Sequence, residues 1–382
     1  MIYVPIFKVR TEEMLVSKKM NYCFSDNIIP LFEILKDQYK TRYQVDPITQ
    51  EYIYEQGNKR KKRIKEEPTE EDIITLDYIS NLINNKNAFI DYFRFTIEEY
   101  EKNMGSKKIK NVDISKMQLA WKLSRNTTLY IEHECNVSKY ENLIPTISVK
   151  SYFAFKKDQL QKLLLNLQEK SKSIALRLTE EFLDEYCDLI KDTFRETDYL
   201  LFDIREQNPI SKFMELDEVR KLKFKGKKIL LNSPRKASIN NGDYEEQGVT
   251  ELIDNCAREE YINYDFHGFG DYCGLKDELP TRGNTAGKGA ALALLYNYND
   301  NSFYSFLNPD TKQGISGYKK IIPLILSKKH FFDPINSCPA IQKIETMRKE
   351  GRCGNWRSWH NINMTRYLHQ IYYNMQDRKS VV

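Results

Sequence analysis

The sequence predicts an α/β fold, a closed (β/α)8 TIM-like barrel with an insertion after its second strand and a C-terminal appendage of a hairpin and helices. Three observations lead there. Short apolar runs alternate with helix-forming segments eight times before Phe266, as a barrel of parallel strands requires. The first strand is not followed by GxGxxG, which weakens the open dinucleotide-binding sheet as the alternative. The 382 residues exceed the roughly 250 of an ordinary barrel and leave material for decorations. The expected division is a barrel over 1–275, with an insertion over about 36–68, and a cap over 276–382.

Ile2 to Val9 reads as the first strand, and Thr11 is the expected N-cap of a helix reaching Lys19. Asn27 to Ile34 reads as the second strand. From Leu35 to Pro68 the periodicity lapses into polar and aromatic residues, with a basic run from Lys59 to Arg63 followed by Glu66-Glu67. Thr69-Glu70-Glu71-Asp72 has the form of a capping box before the helical spacing of Ile73, Leu76, Ile79 and Ile83, and Ala88 to Asp91 is the third strand. For the fourth, Leu143 to Ser148 is favoured over Thr128 to Ile131. The helix Ile114 to Leu123 lies well before it and the helix Phe155 to Gln168 follows it.

Alternation is regular from there, with strands expected at Ser173–Leu178, Tyr199–Ile204, Lys228–Ser233 and Ile262–Phe266. The helices between them are expected at Glu180–Phe194, Ile210–Leu222 and Glu245–Ala257. Gly268 to Gly274 would then be the glycine-rich exit loop of the eighth strand. Beyond it, Gly289–Tyr296 and Ser302–Leu307 flank Asn297-Tyr298-Asn299-Asp300-Asn301 as a hairpin, and a helix-rich tail closes the chain.

A net charge of +5 over this length is too mild to define a nucleic-acid-binding protein. Seven scattered cysteines without a CxxC pair fit a reducing compartment, and no apolar run nears the roughly 20 residues of a membrane span. With a first strand starting at Ile2, the expectation is a cytoplasmic protein without signal peptide or membrane segment.

Chemistry enters through a recurrence. Lys8, Glu33, Asp91, Arg177 and Asp203 each end an apolar strand, and in a barrel such ends converge on the face where catalytic residues are found. Glu33, Asp91, Asp203 and, from the exit loop, Asp271 are the candidate catalytic acids and bases, since neighbouring carboxylates push their pKa values apart. The same carboxylates could instead hold a hard divalent cation such as Mg²⁺. Lys8, Arg177, His267, Tyr272 and Arg357 are the candidate substrate-binding groups, Arg offering a fork to phosphate or carboxylate. The structural alternative is a network in which Lys8 and Arg177 neutralise those carboxylates.

HExxH, paired Cys ligands and GxSxG are missing from the sequence, so the zinc protease and serine hydrolase readings have no support. Gly283 to Gly289 resembles a phosphate loop but is one residue short and has Gly289 in place of Ser or Thr.

Tyr3-Val4-Pro5-Ile6-Phe7-Lys8, Ile29-Pro30-Leu31-Phe32-Glu33-Ile34, Leu143-Ile144-Pro145, Phe269-Gly270-Asp271-Tyr272 and Gly354-Asn355-Trp356-Arg357 are spread through the chain in an order that resembles the beta family proteins of phages, prophages and bacterial mobile or defence regions. The resemblance implies a barrel-like fold and a microbial, intracellular setting. Where such proteins commonly carry adjacent histidines after the Trp-Arg pair, this chain has Asn363 and Met364. Either a catalytic pair is altered here, or those positions serve packing, with Trp356 and Trp359 anchoring the tail.

The leading functional expectation is a hydrolase acting on a phosphate-containing or nucleotide-like substrate at the barrel mouth, in a phage or anti-phage-defence context. The alternative is a non-enzymatic sensor that binds nucleic acid or a protein partner, suggested by the Lys59–Lys65 region and the 25 tyrosines.

Overall fold

Runs rich in β-branched and aromatic residues supply eight parallel strands that close on themselves. The structure, a computed structural model, describes residues 1–56, 61–102, 112–281 and 289–377. In chain order its strands are β1 (Ile2–Lys8), β2 (Leu31–Ile34), β3 (Tyr54–Gln56), β4 (Lys61–Arg63), β5 (Ala88–Tyr92), β6 (Leu143–Val149), β7 (Ala175–Thr179), β8 (Tyr199–Asp203), β9 (Lys227–Leu231), β10 (Gln247–Thr250), β11 (Gly268–Asp271), β12 (Ala291–Asn297) and β13 (Ser302–Asn308). The closed barrel runs β1-β11-β9-β8-β7-β6-β5-β2. Helices such as Lys157–Lys170 and Leu183–Thr193 lie between strands and bury a leucine stripe.

Every barrel strand is buried along nearly its whole length, as expected where helices cover the outside and side chains fill the inside. Phe89 and Tyr199 meet edge to face at 4.9 Å between ring centroids, below the level of the charged strand ends.

Two expected elements are corrected. Glu245 to Ala257 is not a helix: Gln247–Thr250 is a strand that pairs antiparallel with β13, making a three-stranded sheet β10-β13-β12. The apolar spacing of Val249, Leu252 and Ile253 suits a helix, but the free edge of the hairpin recruits Val249 and Thr250. Ile262 to Phe266 is not a strand either. Tyr261–Tyr264 is a 3-10 turn that ends with Asp265 in the left-handed region at φ 56°.

The eighth barrel strand is instead Gly268–Asp271, the start of the stretch read as a loop. Glycine lowers strand propensity, yet here close approach demands it. A Cβ on Gly268 would meet the Ile2 carbonyl oxygen at 1.8 Å, and one on Gly270 the Val4 carbonyl oxygen at 2.6 Å. Smaller departures are that Arg10, not Thr11, is the N-cap of the first helix, and that β2 begins at Leu31 after a single bridge between Tyr3 and Ile28. The capping box at Thr69 and Asp72 forms, around a 3-10 turn that precedes the helix Thr75–Leu82.

The C-terminal helix Trp356–Asp377 ties the appendage to the barrel, packing on β12 and on the helix Thr11–Lys19. Trp359 is buried and stacks on Tyr318 at 4.4 Å. Asn363 hydrogen-bonds the backbone of Leu294, and Met364 is buried in the main core, so these two positions serve packing in this chain. Among the described residues no helix is long and apolar enough to cross a membrane.

Gly268→Ala should lower stability by at least about 2 kcal/mol through overpacking at the β1–β11 seam. Urea denaturation midpoints at constant slope measure it, and a midpoint equal to wild type would contradict the close approach.

Candidate functional site

Register brings the charged strand ends to one level. Lys8 pairs with Glu33 and Glu33 with Asp91 across β1, β2 and β5, while Ser148 pairs with Arg177 and Thr179 with Asp203 across β6, β7 and β8. All face inward at the C-terminal end of the barrel, where five of the residues expected at the mouth meet Tyr272.

Arg177 is the hub. Its Nη1 donates to Glu33 Oε1 at 2.7 Å and to Asp91 Oδ2 at 2.9 Å, and its Nε and Nη2 donate to Asp203 Oδ2 at 2.9 and 2.7 Å. Lys8 Nζ donates to Glu33 Oε2 at 2.5 Å and to Asp277 Oδ1 at 2.6 Å, and sits over the rings of Tyr272 and Phe93. Tyr272 donates its hydroxyl to Glu33 Oε1 at 2.8 Å. Burial opposes ionisation of Glu33 and Asp277, but nearby Lys8, with Arg177 beside Glu33 and Arg205 beside Asp277, outweighs it and holds both carboxyls below their ordinary range.

Asp277, Arg205, Lys150 and Arg94 are members that sequence reading missed. Arg205 Nη1 donates to Glu99 Oε1 at 2.9 Å and its Nη2 lies 3.5 Å from Asp277 Oδ2. Arg94, Lys150 and Arg205 each fall one or two residues past the end of an apolar strand, so the signal that found Asp91 was present for them slightly further along the chain. Asp277 lies beyond the eighth strand, whose misplacement hid it.

Alternation along β11 separates two neighbours. Tyr272 points into the mouth, whereas Asp271 points outward and does not face Glu33, Asp91 and Asp203 as expected. It accepts from Tyr3 Oη at 3.0 Å, Tyr367 Oη at 2.6 Å and the Cys273 amide at 2.7 Å, joining barrel to C-terminal helix. Burial pushes its carboxyl up to about 6, against those three hydrogen bonds. His267 is also displaced from the expected site. It precedes β11 at the opposite end of the barrel, is exposed, and accepts the Lys228 amide on Nδ1 at 3.1 Å. Arg357 is exposed on the C-terminal helix and lines a separate 220 Å³ pocket with Arg10, Lys36 and Lys116. The phosphate-loop-like Gly283–Gly289 stretch lies outside the described residues except for Gly289.

The carboxylates do not suit a divalent cation. Glu33, Asp203 and Asp277 are already held by Lys8, Arg177 or Arg205, and among the described residues no group of three or more His, Cys, Asp or Glu is arranged to hold an ion. What stays open is beside the network. Lys150, 8% exposed, faces the Phe93 ring at 4.3 Å and has no carboxylate within ion-pair distance among the described residues. Burial lowers its pKa below that of an ordinary lysine, Glu99 opposing and Arg205 and Arg177 adding to the effect. Asp91 accepts from Arg177 and Ser148 on Oδ2 but leaves buried Oδ1 without a partner among the described residues.

Lys150, Thr179, Arg205 and Asp277 line both a narrow inner pocket that reaches Asp91 and an outer cleft of 330 Å³. Tyr152 and Arg205 on that outer cleft hold left-handed backbone at φ 69° and 55°. The outer wall is acidic. Glu180 is held by Lys212 at 2.6 Å, Glu181 accepts Ser151 Oγ at 2.8 Å and Glu206 accepts the Ala237 amide at 2.7 Å.

The fold and mouth define a (β/α)8 barrel protein whose strand ends are locked by a buried ion network. More particularly, the chain belongs to the Beta protein family, whose model matches residues 3–372. Comparisons with curated proteins and with solved structures each found no match.

Asp271 generates a test of the outward network. Because its folded pKa lies above its ordinary value of 3.8, the folded state holds a proton that the unfolded state releases. Its contribution should therefore make the protein more stable as pH falls from above 6 toward 4, by on the order of 3 kcal/mol at about 1.36 kcal/mol per pKa unit. Below that window the depressed carboxyls Glu33 and Asp277 take protons and stability falls. Denaturation midpoints for wild type and Asp271→Asn should converge near pH 4 and separate above 6, and parallel profiles would contradict the assignment.

Proposed function

We propose that the barrel mouth is the active site of a hydrolase acting on a phosphate-containing, nucleotide-like substrate. The observation that carries this reading is Lys150, a buried cation without a carboxylate partner among the described residues, opening with Arg205 on the cleft. A desolvated lysine in that position favours an anion, because Glu99 and Asp91 act on it only at a distance and no carboxylate among the described residues pairs with it directly. The polarity of the cleft supports the nucleotide-like part. A ligand with its phosphate toward Lys150 and Arg205 would turn hydroxyl and amino donors toward Glu180, Glu181 and Glu206.

In this reading Arg177, Lys8 and the three mouth carboxylates set the shape of the site, and the free Asp91 Oδ1 positions the attacking water. Water adds to phosphorus and its proton passes to Asp91 Oδ1. The phosphorus–oxygen ester bond breaks, and the leaving oxygen takes a proton from the Lys150 ammonium. A lysine with a lowered pKa is suited to give up that proton. The seven unpaired cysteines favour a reducing, cytoplasmic setting. A phage or anti-phage-defence context belongs to the same proposal and rests on the motifs shared with beta family proteins.

Titration calorimetry with inorganic pyrophosphate should show binding that weakens as pH rises through the lowered pKa of Lys150, and Lys150→Met should weaken it by about 10- to 100-fold, as expected for a charged hydrogen bond. With a nucleotide mixture as substrate, Asp91→Asn should retain pyrophosphate binding while phosphate release is lost. Undiminished pyrophosphate binding by Lys150→Met would remove the basis of the reading.

A further inference from the structure

The insertion between β2 and the helix Thr75–Leu82 leaves the barrel at its mouth end, and its described residues take no part in the ion network. It forms an antiparallel ribbon of β3 and β4, extended by bridges between Val45 and Tyr52 and between Tyr43 and Lys65. Side chains alternate across such a ribbon, so its register sorts them into two faces. Tyr54 lies opposite Arg63 and Gln56 opposite Lys61 on one face, while Glu55 lies opposite Lys62 on the other.

Further contacts fill the first face. The Arg63 guanidinium sits 4.1 Å over the Tyr52 ring and 5.6 Å from that of Tyr43, and the two rings are 6.0 Å apart. Alternation puts Lys65 there as well. This face therefore presents Tyr43, Tyr52, Tyr54, Lys61, Arg63 and Lys65, and the one acid of the two strands, Glu55, is on the reverse. Tyr52 and Tyr54 are 45% and 49% exposed, so their rings contribute little to a core.

We infer that this face of the ribbon binds single-stranded nucleic acid. Rings interleaved with cations match a polymer that alternates flat bases with phosphates, and base stacking on an aromatic ring is open only to bases freed from a duplex. The segregation of Glu55 matters as much as the basic run. The register removes the one acid of the two strands from the face that would meet phosphate. An acidic peptide would satisfy the cations but would leave the exposed rings without a planar partner.

The experiment is fluorescence anisotropy of the full chain with a labelled oligo-dT of about 12 nucleotides, within the usual site size for such platforms. Saturable binding should weaken with salt, with a log–log slope of about −2 for three cations on a single strand. Tyr54→Ala should weaken it by about tenfold, a typical stacking loss, and Tyr54→Phe should restore it. Lys61→Ala should weaken binding more than Lys62→Ala, whose side chain is on the reverse face. Unchanged thermal melting of these exposed-residue variants separates lost contact from lost fold. Salt-independent or undetectable binding, equal effects at Lys61 and Lys62, tighter binding to duplex, or full competition by poly-glutamate would each overturn the inference. The Lys150 experiments bear on the mouth alone, so either reading can fail without the other.

Discussion

Arg177 is the constraint on which the mouth depends. One guanidinium, buried and planar, donates to Glu33, Asp91 and Asp203 from three different strands. Its charge offsets part of the cost of burying those carboxylates together, and its geometry fixes where each strand ends relative to the others. Lys8 extends the same logic to Asp277 beyond the eighth strand. Removing one partner from a buried pair costs about 3–5 kcal/mol, more than its hydrophobic replacement as a pair would. The network is thus better understood as a device that specifies the mouth than as a source of net stability.

With so many groups mutually satisfied, the proposed chemistry falls to what the network excludes. Lys150 and the free oxygen of Asp91 border the same small space, and among the described residues one is a cation without a carboxylate partner and the other an acceptor without a donor. Neither would persist in a purely structural cluster without cost, since an unpaired buried polar group forfeits its hydration. The closed network also explains why the carboxylates, so conspicuous in the sequence, are poor metal ligands here.

Much of the barrel was legible because strand ends, helix stripes and the break in periodicity after β2 are local signals. The convergence of Lys8, Glu33, Asp91, Arg177 and Asp203 was legible too, since a barrel converts strand order into spatial proximity. Gly268–Asp271 was obscured because its glycines answer to the Ile2 and Val4 carbonyls of β1, a long-range demand that propensity cannot express. That error carried Asp271 to the wrong side of the wall and hid Asp277. The strand Gln247–Thr250 was obscured for a similar reason, its partner lying more than fifty residues away in β13. His267 and Arg357 fell outside the mouth because their expected positions rested on neighbouring sequence and not on strand register.

The proposed site depends on a mouth that holds Lys150 apart from its carboxylates so that it meets an anion. The most direct measurement is the titration of the Lys150 side chain by NMR in selectively ¹⁵N-labelled protein, with and without inorganic phosphate. A midpoint below the ordinary lysine value is expected in the free protein, with an upward shift when phosphate binds. An ordinary lysine midpoint that phosphate leaves unmoved would contradict it.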